Sequence, residues 1–222
     1  MKIVCFGDSV TRGVSYIRGR LRIIKETYPS ILQEYLGDQN EVLNKGVFND
    51  NSDLLVKRLD KDVLSQKPDA VLIQIGGNDC NFHWDEVAKR PDDEHEPIVP
   101  LNRYLNNIKV MIDQIKEMGA VPILSTLLPL DPKRYYEHIS RMNNKSIAHW
   151  IAACGGIEHW HGMYNRALKK IIKSNHVLSI DIRTAFKESN DLSVLLSDDG
   201  IHPSPEGYSV MAGIIKQGLR GL

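Results

Sequence analysis

Short apolar runs alternate with amphipathic stretches from one end of this chain to the other. Ile3-Val4-Cys5-Phe6 makes residues 2–6 a strand. Pro29 opens a segment in which Ile31, Leu32, Tyr35 and Leu36 share one helical face, and Gly37 is a fitting stop. Proline suits a first helical turn and glycine a helix end. Glu41-Val42-Leu43-Asn44 reads as a second strand running into Lys45-Gly46-Val47. Ser52 or Asp53 can cap a helix that carries Leu54, Leu55, Leu59 and Val63. Ala70-Val71-Leu72-Ile73-Gln74-Ile75 is the clearest buried strand, a short β-branched run ending at Gly76-Gly77. Leu105, Ile108, Ile112 and Ile115 fall at helical spacing within a helix expected over 101–118, closed by Gly119. Residues 121–126 form a fourth strand, with Pro122 tolerable near its start. Residues 158–173 read as helix, Val177-Leu178-Ser179-Ile180 as a fifth strand, and Pro205-Glu206 as the opening of a last helix.

Strands and helices in alternation mean βαβ units, a parallel sheet of five strands and helices on both faces. Right-handed crossovers leave few topologies. Two stretches break the rhythm. Residues 80–100 are polar, with Phe82 and Trp84 and several prolines in a charged run. Residues 127–157 begin Leu-Leu-Pro-Leu-Asp-Pro and continue through Tyr135, Tyr136, His149 and Trp150. Both follow predicted strand ends, where long loops form pocket walls or lids.

Composition changes this picture little. With 222 residues the chain has room for a substantial core and is expected to form one domain over 1–222. Basic and acidic residues balance at 28 each, without the excess that marks a nucleic-acid binder. No apolar stretch approaches the roughly 20 residues that cross a bilayer. Only four apolar residues follow Lys2, so the first segment reads as a strand of the fold rather than a secretory signal. Cys5, Cys80 and Cys154 are few, odd in number and irregularly spaced. They are expected as free thiols in a reducing compartment, which makes the cytoplasm the expected location.

The candidate chemistry sits at strand ends. Ser9 lies in Gly7-Asp8-Ser9-Val10, where a glycine-containing turn can lift a short side chain over the carboxyl edge of the sheet. Serine needs a base within hydrogen-bond reach. Near the other terminus, in Asp199-Gly200-Ile201-His202-Pro203, an acid three residues before a histidine can orient that ring. His202 is the candidate base, with Asp199 on Nδ1 and Nε2 facing Ser9. A developing oxyanion also needs donors. The second strand ends at Gly46, where a substrate can approach a backbone N–H. The third ends at Gly76-Gly77-Asn78-Asp79, where the Asn78 amide can point over the edge. Together with the Ser9 N–H these make three candidate donors.

Gly7-Asp8-Ser9-Val10, Asn44-Lys45-Gly46-Val47, Gly76-Gly77-Asn78-Asp79 and Asp199-Gly200-Ile201-His202 stand in order along nearly the whole chain. This ordered set resembles the four blocks of the SGNH hydrolases, also called GDSL esterases and lipases. The resemblance implies a flavodoxin-like three-layer α/β/α fold, no metal or organic cofactor, and ester hydrolysis. It carries the nucleophile to Ser9, oxyanion donors to Gly46 and Asn78, and base and orienter to His202 and Asp199. Two departures stand out. Val10 replaces the leucine of the family's common name, and Phe48-Asn49-Asp50-Asn51 follows Gly46-Val47 where small residues are usual.

The expected function is a serine esterase working through an acyl-enzyme, on a short-chain or sugar acetyl ester. Acyl-thioesterase, lysophospholipase and acyltransferase activities share that machinery. A non-catalytic flavodoxin-like binding module is the rival of a different class, and a metal-dependent phosphoesterase on Asp8, Asn78, Asp181 and His202 is another. Cys80, Phe82 and Trp84 are candidate pocket residues, within loops that mix aromatics with Asp85, Lys133 and Arg134. Asp8 and Asp79 read as structural acceptors and Asp181 as a helix cap. His149, His159 and His161 gather around Cys154, but their spacing matches no usual zinc pattern. Oligomeric state is unreadable from the sequence.

Overall fold

A computed structural model describes residues 1–143, 146–189 and 191–221. Its elements are β1 Lys2–Gly7, α1 Ser9–Arg12, β2 Val14–Ile17, β3 Arg20–Ile23, α2 Tyr28–Leu36, β4 Glu41–Gly46, α3 Ser52–Asp62 and β5 Ala70–Gln74. There follow α4 Trp84–Lys89, α5 Leu101–Glu117, β6 Val121–Ser125, α6 Pro132–Asn143, α7 Ile147–Ala153 and α8 Ile157–Ser174. The chain continues with β7 Leu178–Ile180, α9 Ile182–Lys187, α10 Leu192–Leu195 and α11 Pro205–Gly218.

Five strands form one sheet in the order β4-β1-β5-β6-β7, all parallel. The first crossover carries the chain from β1 to β4 on one side. The next carries it back past β1 to β5 on the other. The carboxyl end of β1 is therefore the switch point, where open α/β sheets leave a crevice. Successive strand residues face opposite layers. Val4, Phe6, Val71, Ile73 and Leu124 pack with α3, α5 and α8 through Leu55, Ile108, Met111, Ile112 and Tyr164. Ile3, Cys5, Leu72, Ile123 and Ile180 pack with α2, α9 and α11 through Tyr28, Leu32, Phe186, Tyr208 and Met211. Burial on both faces explains why the central strands β1, β5 and β6 read as apolar runs. Each fully buried large aliphatic side chain contributes roughly 1.5–3 kcal/mol.

Local chemistry sets the element ends. Thr27, two residues before Pro29, caps α2 in a reciprocal pair with Ser30, and Pro29 sits in the first turn. Asn51, rather than Ser52 or Asp53, caps α3 by accepting from the Leu54 N–H. Asp181 caps α9, as its position predicted, by accepting from the Thr184 N–H. The two stretches expected as loops hold α4, and α6 with α7. An antiparallel hairpin, β2–β3, was also not anticipated; Arg18 and Gly19 turn it with φ of 52° and 77°.

Candidate active site

Ser9 opens α1 directly after β1. Asp8 caps that short helix, accepting from the Val10 N–H at 2.9 Å. At the far end of the chain, residues 196–204 form a loop closed on itself. Leu196 bridges Pro203, Ser197 N–H donates to His202 O at 2.8 Å, and Ser204 N–H donates to Leu195 O at 3.0 Å. Gly200 makes the turn possible: its φ is +77°, and a Cβ there would stand 2.6 Å from Tyr135 N.

This loop delivers the imidazole to the serine. His202 Nε2 lies 2.9 Å from Ser9 Oγ, although 193 residues separate them. His202 Nδ1 donates to Asp199 Oδ2 at 2.6 Å. The other carboxylate oxygen accepts from the Ile201 and His202 N–H groups at 3.2 and 3.1 Å. Ser197 Oγ lies 3.1 Å from that same oxygen and accepts from the Tyr16 N–H. Burial alone would raise the Asp199 pKa. The imidazole and the two N–H groups outweigh it, and the net shift is downward. A buried, ionised acid on Nδ1 leaves Nε2 to face the hydroxyl.

The carboxyl ends of β4 and β5 lie beside this pair. Asn78 Nδ2 donates one hydrogen to Asp50 O at 2.8 Å, which leaves the second for the cavity. Asp50 is itself held by Arg58 Nε at 2.6 Å, and the same guanidinium donates to Lys45 O and Gly7 O. Arg58 thus ties two strand ends and the Asn78 support together. Sequence reasoning passed over it, because a helical arginine carries no sign of what it will reach.

Gly46 does not join this group. Its N–H donates to Asn44 Oδ1 at 2.9 Å, and it is not among the residues lining the cavity. Its lack of a side chain serves packing: a Cβ would stand 2.1 Å from Arg12 N.

Ser9, His202 and Asn78 border a cavity of about 60 Å³. Gln74, Cys80, Leu127, Leu130, Tyr135 and Trp160 are among its other walls. Of the three residues expected in the pocket, Cys80 lines it, while Phe82 and Trp84 do not. They stand behind Trp160, with ring centroids 5.4 and 5.9 Å from it. Trp84 Nε1 and Tyr135 OH both donate to Asn81 Oδ1, at 2.8 and 2.7 Å, which fixes that wall. Burial pushes the Cys80 thiol up. Asp79 accepts from the Ser52 N–H and braces the turn, with burial raising its pKa to about 6. Burial raises Asp8 to about 7, against the pull of the Val10 N–H and His202.

The histidines near Cys154 separate. His149 and His159 are exposed, whereas His161 is buried against Arg183. Among the described residues no group of three or more His, Cys, Asp or Glu is placed to hold a metal.

A five-stranded parallel sheet covered by helices on both faces thus places serine, histidine and aspartate in one hydrogen-bonded line at its switch point. The chain belongs to the GDSL-like lipase/acylhydrolase family, which it matches over residues 5–210. It is a hydrolase acting on ester bonds. Its relatives include the uncharacterized lipoprotein YqeF of Bacillus subtilis, 26% identical over 97% of this chain and 88% of that one. An acetylxylan esterase of Geobacillus stearothermophilus is 26% identical over 93% of this chain and 80% of its own. The solved lipase/acylhydrolase of Enterococcus faecalis shares the fold with a TM-score of 0.73 at 22% identity, covering 99% of this chain and 95% of that one. Among the described residues no helix is long and apolar enough to cross a membrane.

Proposed function

We propose that this enzyme removes a short acyl group, such as the acetyl group of an acetylated sugar, through an acyl-enzyme on Ser9. The observation that carries the reading is the unbroken line Ser9 Oγ–His202–Asp199 beside a small cavity. Ser9 Oγ attacks the ester carbonyl as its proton passes to His202 Nε2, and Asp199 stabilises the imidazolium that forms. The oxyanion is received by the Ser9 N–H and the free hydrogen of Asn78 Nδ2. The C–O bond to the alcohol breaks, and the alcohol leaves with the proton from His202. Water then adds to the acyl carbon while His202 takes its proton. Collapse returns that proton to Ser9 Oγ and frees the carboxylic acid.

Size favours a short acyl group. One water needs roughly 10–15 Å³ of such space, so 60 Å³ suits a group of a few heavy atoms. Two relatives named acetylxylan esterases, each 26% identical, favour an acetylated sugar. The free thiols of Cys5, Cys80 and Cys154 favour a reducing, cytoplasmic setting.

The test is a series of 4-nitrophenyl esters from acetate to dodecanoate, run beside acetylated xylose, with wild type and Ser9→Ala. Acetate and acetylated xylose are expected to be cleaved at least tenfold faster than dodecanoate, and Ser9→Ala to be nearly inert. Retained activity in Ser9→Ala, or a preference for long chains, would overturn the reading.

A further inference from the structure

His161 takes no part in the steps above, yet it borders the same cavity as Ser9 and is only 5% exposed. Its Nδ1 lies 3.0 Å from Arg183 Nη1. A guanidinium can only donate, so Nδ1 accepts and the ring proton must sit on Nε2. Arg183 is itself immobilised. Its backbone N–H donates to Thr126 Oγ1 at 2.9 Å, its Nη2 lies 3.5 Å from Glu158 Oε1, and it is 8% exposed. Burial, then the charges of Arg183 and Lys187, lower the His161 pKa to about 3. The ring therefore stays uncharged through the working range and keeps one tautomer.

Among the described residues, Nε2 of His161 has no hydrogen-bond partner, and it is not sealed from solvent-sized space. A second group on the cavity wall is in the same condition. Gln74 is 3% exposed and lines the cavity, and its side chain makes no hydrogen bond among the described residues; its Oε1 is buried unpaired. Buried polar groups are ordinarily paired, and one left open at a cavity awaits a partner. Strand order places the two ends of this cavity. Ser9 follows β1, Gln74 ends β5, and Arg183, which holds His161, follows β7.

We propose that His161 is a specificity-determining residue, an uncharged imidazole locked by Arg183 that donates Nε2–H to an oxygen carried by the ester at the end of the cavity remote from Ser9. This rests on the esterase reading and adds the chemistry that the bound group must present. Plain hydrocarbon would leave the donor unpaired, whereas a hydroxyl or ether oxygen satisfies it. That oxygen belongs either to a sugar-like alcohol or to the acyl group. The Gln74 carboxamide stands ready for the same polar group.

The experiment compares kcat/KM for esters matched in size. Acetylated xylose against cyclohexyl acetate tests the alcohol side. The 4-nitrophenyl methoxyacetate and 3-methoxypropanoate esters, against butyrate and pentanoate, test the acyl side. Wild type is expected to favour the oxygenated member of one pair by tenfold or more. In His161→Leu that preference should fall towards one, mainly through KM, with the hydrocarbon esters within threefold of wild type. His161→Gln, which offers Arg183 an acceptor and the substrate a donor, should restore most of it. Equal losses on both members of each pair, or an unchanged preference, would overturn the proposal.

A measurement on the native side chain stands apart from any folding defect in the variants. With ¹⁵N-labelled histidine, His161 should show a protonated Nε2 and a bare Nδ1 from pH 5 to 8. In Ser9→Ala that signal should shift when the preferred oxygenated ester is added. A Nδ1–H tautomer, or no shift at saturation, would overturn the assignment. Wild type that needs Ser9 but favours no oxygenated ester would defeat this inference alone. Activity indifferent to Ser9 would defeat the esterase reading beneath it.

Discussion

At the residue scale, the hydroxyl of Ser9 lies 2.9 Å from His202 Nε2, and Asp199 holds the far side of that ring at 2.6 Å. Replacing Ser9 or His202 by alanine is expected to lower kcat by about 10⁴–10⁶-fold, with Asp199→Ala nearer the lower figure. On the proposed mechanism Asn78→Ala removes one oxyanion donor and should cost on the order of 10²–10³-fold in kcat with little change in KM. Steady-state kinetics on one acetyl ester reads all four; a loss in Asn78→Ala confined to KM would contradict its role. The spacing of Asp199 and His202 was legible because a single short turn joins them. Asn78 was legible as a side chain beside glycines at a strand end. What the Gly46 N–H meets, the Asn44 side chain, was not legible, because a motif reveals that a glycine is needed and not the partner of its N–H. Phe82 and Trp84 were read as pocket walls from their aromatic character, but their neighbour Trp160 came from a helix and took the cavity face. His161 carried no signal of its own, since its tautomer is set by an arginine 22 residues later.

At the element scale, α1 is pressed against the end of β4, and Gly46 is the point of contact. Gly46→Ala keeps the backbone N–H but inserts a methyl 2.1 Å from Arg12 N. It is expected to cost about 1–3 kcal/mol, as overpacking does, and to lower kcat by shifting the helix that carries Ser9. Thermal unfolding with kinetics checks this; an unchanged Tm would contradict it. Thr27→Ala removes the cap of α2 and a methyl that packs on Gly13, the residue closing α1. It should cost about 1 kcal/mol, read as a lowered Tm. The central strands β1, β5 and β6 were legible because burial on both faces makes each an apolar run, whereas the edge strands β4 and β7 are more exposed and showed only shorter apolar pieces. The hairpin β2–β3 was not legible: its residues 20–23 are all exposed, and its turn uses Arg-Gly instead of a stronger signal such as Asn-Gly. Helices α4, α6 and α7 were hidden by prolines and charges at their margins, and their helical faces are settled by packing against one another.

At the scale of the whole molecule, closing the site buries acids, and stability should register it. Asp8 has a folded pKa of about 7 and Asp79 of about 6, against 3.8 ordinarily, chiefly through burial. Between about pH 4 and 7 the folded chain therefore holds protons that the unfolded chain releases, and stability falls as pH rises through that window. Asp199 is shifted the other way; its contribution is present above its unfolded pKa and disappears only as the pH drops through its lowered folded value. Asp79 titrates in the same window as Asp8, so the wild-type slope is a joint one. Asp8→Asn keeps an acceptor for the Val10 N–H and removes the titration. Its Tm should fall less than wild type from pH 4 to 7, and an identical slope would contradict the assignment.

The fold brings residue 9 to residue 202. Labelling with a fluorophosphonate followed by peptide mass spectrometry tests that most directly. One equivalent should add to the peptide bearing Ser9, with labelling slowed at least a thousandfold in His202→Ala. Modification elsewhere, or labelling of Ser9 at the same rate without His202, would contradict it.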